Sequence, residues 1–226
     1  MIGIISDIHG NYTALTKVLA ELDNLGVDKI ICLGDIAGYY CQINQCCKIL
    51  QDRNIFCLMG NHDWYLVTNE DCPRSNSANY CLKYQRSIIT NTNLDWLATL
   101  KPQAKFENLN IVHGGWNDPI DEYFVPSKEY FSKIPGTYFA SGHTHVPYIW
   151  QGSNKTYCNP GSVGQPRDGD PRASFAIWDY NNFSLHRIHY NYKLLQEEMR
   201  RAEFKEYFYK NLADGTRIGG KIDKYK

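Results

Sequence analysis

The chain opens on an apolar run, "MIGIIS", that has the length of a strand and ends in the polar loop "DIHGN". In the "YTALTKVLAEL" that follows, Leu15, Val18, Leu19 and Leu22 fall on one helical face. Asn11 stands at the N-cap position, and Gly26 closes the segment. "VDKIICL" and "NIFCLM" predict two further strands, ending in "GDIAG" and "GNHD", with a helix over 42–50 between them. This repetition of strand, polar loop and helix predicts parallel strands joined by crossover helices. Sheets of that kind bind ligands at the carboxyl ends of their strands, where all these loops open.

Residues 77–100 read as mostly helical, with "LDWLATL" the clearest piece. The pattern then changes. "KFENLNIVHGG", "GTYFASGH", "PYIWQG", "KTYCNPG", "ASFAIWDY" and "FSLHRIHY" are short runs of strand character separated by turn residues. They predict a second, more antiparallel sheet, with a helix over 127–133. The last predicted element is a helix over about 192–208 with Leu195, Met199 and Ala202 as its apolar stripe. The Gly- and Lys-rich stretch 209–226 reads as a peripheral tail. With no repeat and no linker, the expectation is a single domain over 1–226.

Composition narrows the function. An apolar share of 43% is ample for a core, and 24 Lys and Arg against 24 Asp and Glu leave a formal net charge of zero. This balance argues against a long nucleic acid or an anionic membrane as partner, but leaves room for a small anionic substrate. The eight cysteines sit mostly in apolar runs, where a reduced thiol is a small hydrophobe. Cys41, Cys46 and Cys47 lack the paired short spacings of a structural zinc site. No secretory segment is expected, the apolar runs are too short to span a bilayer, and a cytoplasmic location follows as the default.

The chemistry lies in the histidines. Five of seven, His9, His62, His113, His143 and His145, fall at predicted strand ends, beside Asp7, Asp35 and Asn61. In extended backbone, residues i and i+2 point to one side, so Asp7 and His9 are expected to grip one ion together. "GHTH" brings His143 and His145 together in the same way, though not necessarily on one ion. Asp35 carries two oxygens and can bridge. Oxygen and imidazole ligands without thiolate suit Mn, Fe, Ni, Zn or Mg. Seven ligands serve two ions only if one is shared, as in two-metal hydrolytic centres.

"DIH", "GDIAG", "GNHD", "HG" and "GHTH" occur in the order found in calcineurin-like metallophosphoesterases, and the chain resembles that family from Asp7 to His145. "SDIHGN" and "NPGSVGQPR" resemble its bacterial and archaeal phosphodiesterase and phosphatase branch, which includes diadenosine tetraphosphatase-like proteins, and extend the likeness to Arg167. The resemblance implies a four-layer αββα sandwich with two central mixed β-sheets. It implies two divalent ions, with manganese the family preference. Asp7, His9 and His145 would hold the first ion and Asn61, His113 and His143 the second, both with Asp35. His62 would be the general acid or phosphate-binding histidine, with Asp63 orienting it or its loop. Arg167 is the candidate phosphate contact.

The expected reaction is phosphoester hydrolysis by a metal-activated water, with a phosphodiester or dinucleoside polyphosphate as preferred substrate. A phosphomonoester or phosphoprotein is the alternative. A catalytically inactive scaffold, similar to the phosphoesterase-like subunit of the retromer coat, is a further one. His186 and His189 lack the strand-end context and read as surface or packing residues. Tyr39, Tyr40, Trp64, Tyr65, Trp116, Tyr123 and Phe124 cluster near the motif loops and suit either packing or nucleobase stacking. The acidic, aromatic 115–126 loop is expected to form one wall of the cleft. Oligomeric state is left open.

Overall fold

The computed structural model describes residues 1–225. In chain order the elements are β1 (Ile2–Ile5), α1 (Tyr12–Asn24), β2 (Lys29–Cys32), α2 (Ile43–Asp52), β3 (Phe56–Cys57), α3 (Asn61–Thr68), α4 (Asn76–Ile88) and α5 (Asn91–Ala98). Then come β4 (Gln103–Phe106), β5 (Leu109–Val112), α6 (Lys128–Ser132), β6 (Tyr138–Ala140), β7 (Tyr148–Gln151), β8 (Thr156–Asn159), β9 (Ala173–Trp178), β10 (Phe183–Ile188) and α7 (Tyr192–Arg201). Two 3-10 turns, Glu206–Phe208 and Lys210–Ala213, follow.

Two five-stranded mixed sheets, ordered β10-β9-β1-β2-β3 and β4-β5-β6-β8-β7, stack face to face between helices. Ile2 and Ile4 of β1 pack between the sheets with Ile31, Leu58, Ile111 and Trp178, while Ile5 turns to the helical side against Leu15 and Val18. Alternation along β1 therefore feeds two cores, which is why the run is apolar without interruption. α1 sits on the first sheet, N-capped by Asn11, whose side chain accepts from the Ala14 N–H at 2.9 Å. Outside the second sheet, Phe131 of α6 meets Phe139, Tyr157 and Trp116. Among the described residues, no helix is long and apolar enough to cross a membrane.

Four expectations need correction. β9 and β10 belong to the first sheet, with β9 antiparallel to β1 in the register Ile2↔Trp178 and Ile4↔Ala176. Period-two patterning gives a strand's faces but not its partner, and β9 is buried at every position, as an inner strand must be. The second sheet is mixed, as the family resemblance implied, but no more antiparallel than the first, since β6 runs parallel to both β5 and β8. The C-terminal helix stops at Arg201 instead of about 208. Glu203 takes a left-handed φ of 62°, which turns the chain and drops Phe204 against Tyr80 and Tyr84.

The stretch after residue 209 is not peripheral. Asn211 and Leu212 are buried, the Asp223 N–H donates to the Arg167 carbonyl at 2.7 Å, and the Tyr225 hydroxyl bonds Thr144 at 3.0 Å. Its glycines turn the strap back over the molecule instead of releasing it. Helix α3 was not foreseen. It starts inside "GNHD", where the Asp63 carboxylate accepts from the Gly60 N–H at 3.0 Å. An acid three residues after a glycine is the signal that was available.

Candidate metal centre

Asp7 and His9 follow β1, Asp35 follows β2, Asn61 opens α3, His113 follows β5, and His143 and His145 follow β6. All seven are buried at the carboxyl ends of their strands. The paired residues do not converge through extended backbone as expected. Asp7 (φ 54°), His9 (52°), Asp35 (54°), His143 (68°) and His145 (61°) all adopt the left-handed region. For non-glycine residues this costs roughly 1–2 kcal/mol each. Five such residues around one point mark strain kept for a site rather than for a fold. The crowding also dictates glycine: a Cβ on Gly60 would sit 2.1 Å from Asp35 Oδ1, and one on Gly164 1.8 Å from the Ile8 carbonyl oxygen.

Polar atoms converge in two groups. In the first, Asp7, His9, Asp35 and His145 each offer an atom within 4.8 Å of the others; in the second, Asp35, His113 and His143 do. Asp35 belongs to both through one oxygen, Oδ2, which lies 3.6 Å from His9 Nε2 and 3.4 Å from His113 Nε2. Its other oxygen accepts from the His62 N–H at 2.8 Å. Asn61 Oδ1 completes the second group, 3.2 Å from His113 Nε2 and 3.0 Å from His143 Nδ1. The structure thus brings together all seven residues.

Backbone carbonyls set the imidazoles. His9 Nδ1 faces the Ala37 carbonyl at 2.8 Å, His145 Nδ1 the Gln165 carbonyl at 2.7 Å and His113 Nδ1 the Leu33 carbonyl at 2.9 Å. A carbonyl only accepts, so each Nδ1 carries a proton and each ring turns Nε2 toward the centre, as a lone pair in neutral His9 and His145. The "NPGSVGQPR" segment does the bracing on the Asp7 side. Val163 N–H donates to the Ser6 carbonyl, and Gly164 N–H and Ser162 Oγ donate to that of Asp7.

The buried groups shift one another's protonation in opposite directions. Burial opposes ionisation of Asp35, yet His113 and His62 beside it hold its carboxyl well below the usual carboxylate range. Burial, helped by the Asp35 charge, pushes Asp7 up to about 7. Burial works against a charged His113 too, but the Asp35 and Asp7 carboxylates raise it to about 10. His9, His143 and His145 are driven well below their ordinary value, first by burial.

A cavity of about 380 Å³ opens over this floor. His62 lines it, its ring centroid 4.8 Å from that of His9 and 4.9 Å from that of Tyr39. Burial, with nearby Arg167, lowers His62 to about 4. Asp63 stays outside the cavity: one oxygen accepts from Gly60 N–H and the other from Ala37 N–H at 2.8 Å, tying α3 to the Asp35 loop. Arg167 lines the cavity at 4% exposure. Its guanidinium donates to Gln165 Oε1 and to the Tyr39 hydroxyl, so among the described residues its hydrogen bonds go to neutral groups, not to a carboxylate.

The match with known proteins follows this geometry. Residues 1–182 fit the model of the calcineurin-like phosphoesterase superfamily domain. The chain belongs to that superfamily. It is similar to an uncharacterized protein of Methanocaldococcus jannaschii, 33% identical over 92% of this chain and 95% of that one. Its fold is also that of a metallophosphoesterase from Sphaerobacter thermophilus (30% identity, 95% and 98% of the two chains, TM-score 0.84). A hypothetical protein from Pyrococcus horikoshii shares the fold (20% identity, 95% and 99%, TM-score 0.82). This calcineurin-like chain is a metal-dependent phosphoesterase.

The residues fit divalent metal. His9 Nε2 and His145 Nε2 lie 3.0 Å apart with both protons committed to carbonyls. Two facing lone pairs at that distance repel unless a cation lies against them. Asp7 Oδ1 is buried without a hydrogen-bond partner among the described residues, which a cation would also satisfy.

The phosphoesterase's aromatic residues divide. Tyr39 and Tyr123 line the cavity, and the Tyr123 ring lies 3.9 Å from that of His143. Tyr40 is fully buried, Trp116 and Phe124 belong to the outer apolar cluster, and Trp64 is exposed. Sequence reading missed Arg74, Arg217 and Ile218 in the wall. They lie outside every motif, and only the fold brings them in.

Proposed function

We propose that the centre holds two divalent ions, Mn²⁺ by preference, with Fe, Ni, Zn or Mg as alternatives of similar chemistry. Asp7, His9 and His145 would hold one and Asn61, His113 and His143 the other, with Asp35 shared between them. The observation that carries this reading is the single Asp35 oxygen facing both groups of buried donors. When bound, such a pair offsets phosphoryl charge and lowers the pKa of water at the site.

The remaining work falls to the chain. Arg167 offers a buried guanidinium fork to phosphoryl oxygens. His62 is neutral near pH 7 while the cavity is empty. An incoming phosphoryl anion raises its affinity for a proton, which it then delivers to the leaving oxygen. Asp63 keeps His62 in place by fastening α3 at its first turn. We take 1–226 as a single metallophosphoesterase domain, because residues beyond the family match supply Arg217 and Ile218 to the same cavity.

The preferred substrate is a phosphodiester or dinucleoside polyphosphate. Phosphomonoester hydrolysis is the competing reading. The uncompensated Arg167 favours it, since a monoester brings one more negative charge. Rates with Mn²⁺ on bis-p-nitrophenyl phosphate, p-nitrophenyl phosphate and diadenosine tetraphosphate decide. Absence of diester and tetraphosphate cleavage beside fast monoester cleavage overturns the preference. His62→Ala is expected to keep both ions and lose about 10²- to 10⁴-fold in turnover, most with poor leaving groups. A uniform loss across leaving groups removes the acid role.

A further inference from the structure

Two of the cavity's cations come from segments that carry no metal-loop motif. Arg74 precedes α4, and Arg217 lies on the C-terminal strap. Arg74 pairs with Asp121 and Arg217 with Asp223, yet neither carboxylate lines the cavity. Among the described residues, Asp35 is the only acid that does, against three arginines. The wall therefore presents guanidinium to the interior with its acids set behind. Arg74 is one ring away from the centre: its guanidinium lies 5.3 Å from the Tyr123 centroid, and that ring lies 3.9 Å from His143.

Helix α4 points its amino end at the same wall. Ser75 caps it by accepting from the Ala78 N–H at 3.1 Å, and both Ser75 and Ser77 line the cavity. A helix start favours an anion beside it, and here it adds to two guanidiniums rather than acting alone. A volume of about 380 Å³ exceeds what one phosphoryl group fills. A second space of about 240 Å³ shares Tyr123 and Arg217 with the first, so a long leaving group has somewhere to go.

We propose that Arg74, Arg217 and the start of α4 form a second anion subsite, and that the preferred substrate carries a further phosphoryl group beyond the one attacked. This rests on the phosphoesterase reading above and narrows it. Arg167 and the metal ligands take the reacting group; Arg74 and Arg217 take the distal one. The two sites act as one bivalent grip, so each strengthens binding only for a molecule long enough to reach both.

The test uses the Mn²⁺-loaded full chain. Hexyl phosphate and hexane-1,6-diol bisphosphate are compared as competitive inhibitors of bis-p-nitrophenyl phosphate hydrolysis. The wild type is expected to prefer the bisphosphate by about tenfold or more, the worth of one charge-assisted phosphate contact. Arg74→Gln and Arg217→Gln should each reduce the preference toward about twofold, the statistical advantage of two equivalent ends. Arg217→Lys should keep most of it. Metal content and Tm, measured alongside, identify a variant that has merely misfolded, and the Lys variant then decides. Equal inhibition by the two compounds, or a preference that survives both Gln changes, overturns the subsite while leaving the phosphoesterase reading intact. A wild type that cleaves no phosphoester with any divalent ion overturns that reading and the subsite with it.

Discussion

The two halves of the centre match at the front and differ at the back. On the Asp7 side, His9 and His145 are each held from behind by a backbone carbonyl, of Ala37 and Gln165. Those carbonyls belong to loops stitched to the end of β1, through Gly10 N–H to Ile36 and Gly164 N–H to Asp7. On the Asn61 side, His113 has such a brace in Leu33, but His143 has none. Its rear nitrogen, Nε2, is buried without a hydrogen-bond partner among the described residues and faces Asp121 Oδ1 at 3.6 Å. Asp121 and Tyr123 sit on an irregular loop, and Tyr123 is 49% exposed. A carbonyl within the fold cannot leave without unmaking the fold, whereas a side chain on such a loop can. The Asp7 half is therefore preset, and the Asn61 half depends on how the 115–126 loop sits.

The largest expected effect erases the difference. Asp35→Ala removes the one oxygen that faces both groups, so both proposed ions should be lost together, with activity. The loss of affinity should exceed the roughly 10–100-fold that follows removal of an outer hydrogen-bond partner. His143→Ala, by contrast, should leave one equivalent on the Asp7 side. Elemental analysis after gel filtration reads both. Two equivalents retained in Asp35→Ala would contradict the shared ligand.

Protons give the next test, because a cation must displace them. In the metal-free site His113 is raised to about 10, burial being outweighed by the Asp35 and Asp7 carboxylates, so it holds a proton throughout the neutral range. Asp7 is raised to about 7, mainly by burial, and gains a proton only below that pH. Lowering the pH from about 9 to 6 should thus weaken the Asn61 half throughout, by up to about tenfold per unit for one displaced proton. The Asp7 half should follow only below about 7. Mn²⁺ affinities by competition with a chelator at several pH values check this, and parallel slopes for the two ions would dissolve the asymmetry.

The same contrast explains what was legible in the sequence. The Asp7 half was legible because its first ligands and its bracing segment each fall in a short motif, "SDIHGN" and "NPGSVGQPR", although the two meet only across adjoining loops of the fold. The left-handed backbone at Asp7 and His145 was not legible, since polar residues at such φ look like any loop. The strand count was legible, but the partners of β9 and β10 were not, because pairing is a long-range choice. The strap after residue 209 reads as a loose tail by its glycines and lysines. Its anchors, Asn211 to the Tyr40 hydroxyl, Asp223 to the Arg167 carbonyl and Tyr225 to Thr144, are polar or aromatic residues whose partners lie far away in the chain. The same distance hides Arg74 and Arg217.

The smallest expected effect aims at the loop itself. Asp121 Oδ1 faces His143 Nε2, Oδ2 accepts from the Tyr65 hydroxyl at 3.2 Å, and the carboxylate pairs with Arg74. Asp121→Asn keeps the size and one acceptor but removes the charge that favours a proton on Nε2 and so a lone pair on Nδ1, toward Asn61. The second ion should bind about tenfold more weakly, near the low end for loss of an outer partner, with the first unchanged. Tm of the metal-free protein should hardly move, because the Arg74 pair is half-exposed and such pairs contribute about 1 kcal/mol at most. Stepwise Mn²⁺ titration of wild type and variant separates the two ions. If both weaken alike, Asp121 acts through the fold as a whole. If neither does, His143 needs no support from behind, and the two halves are equally preset.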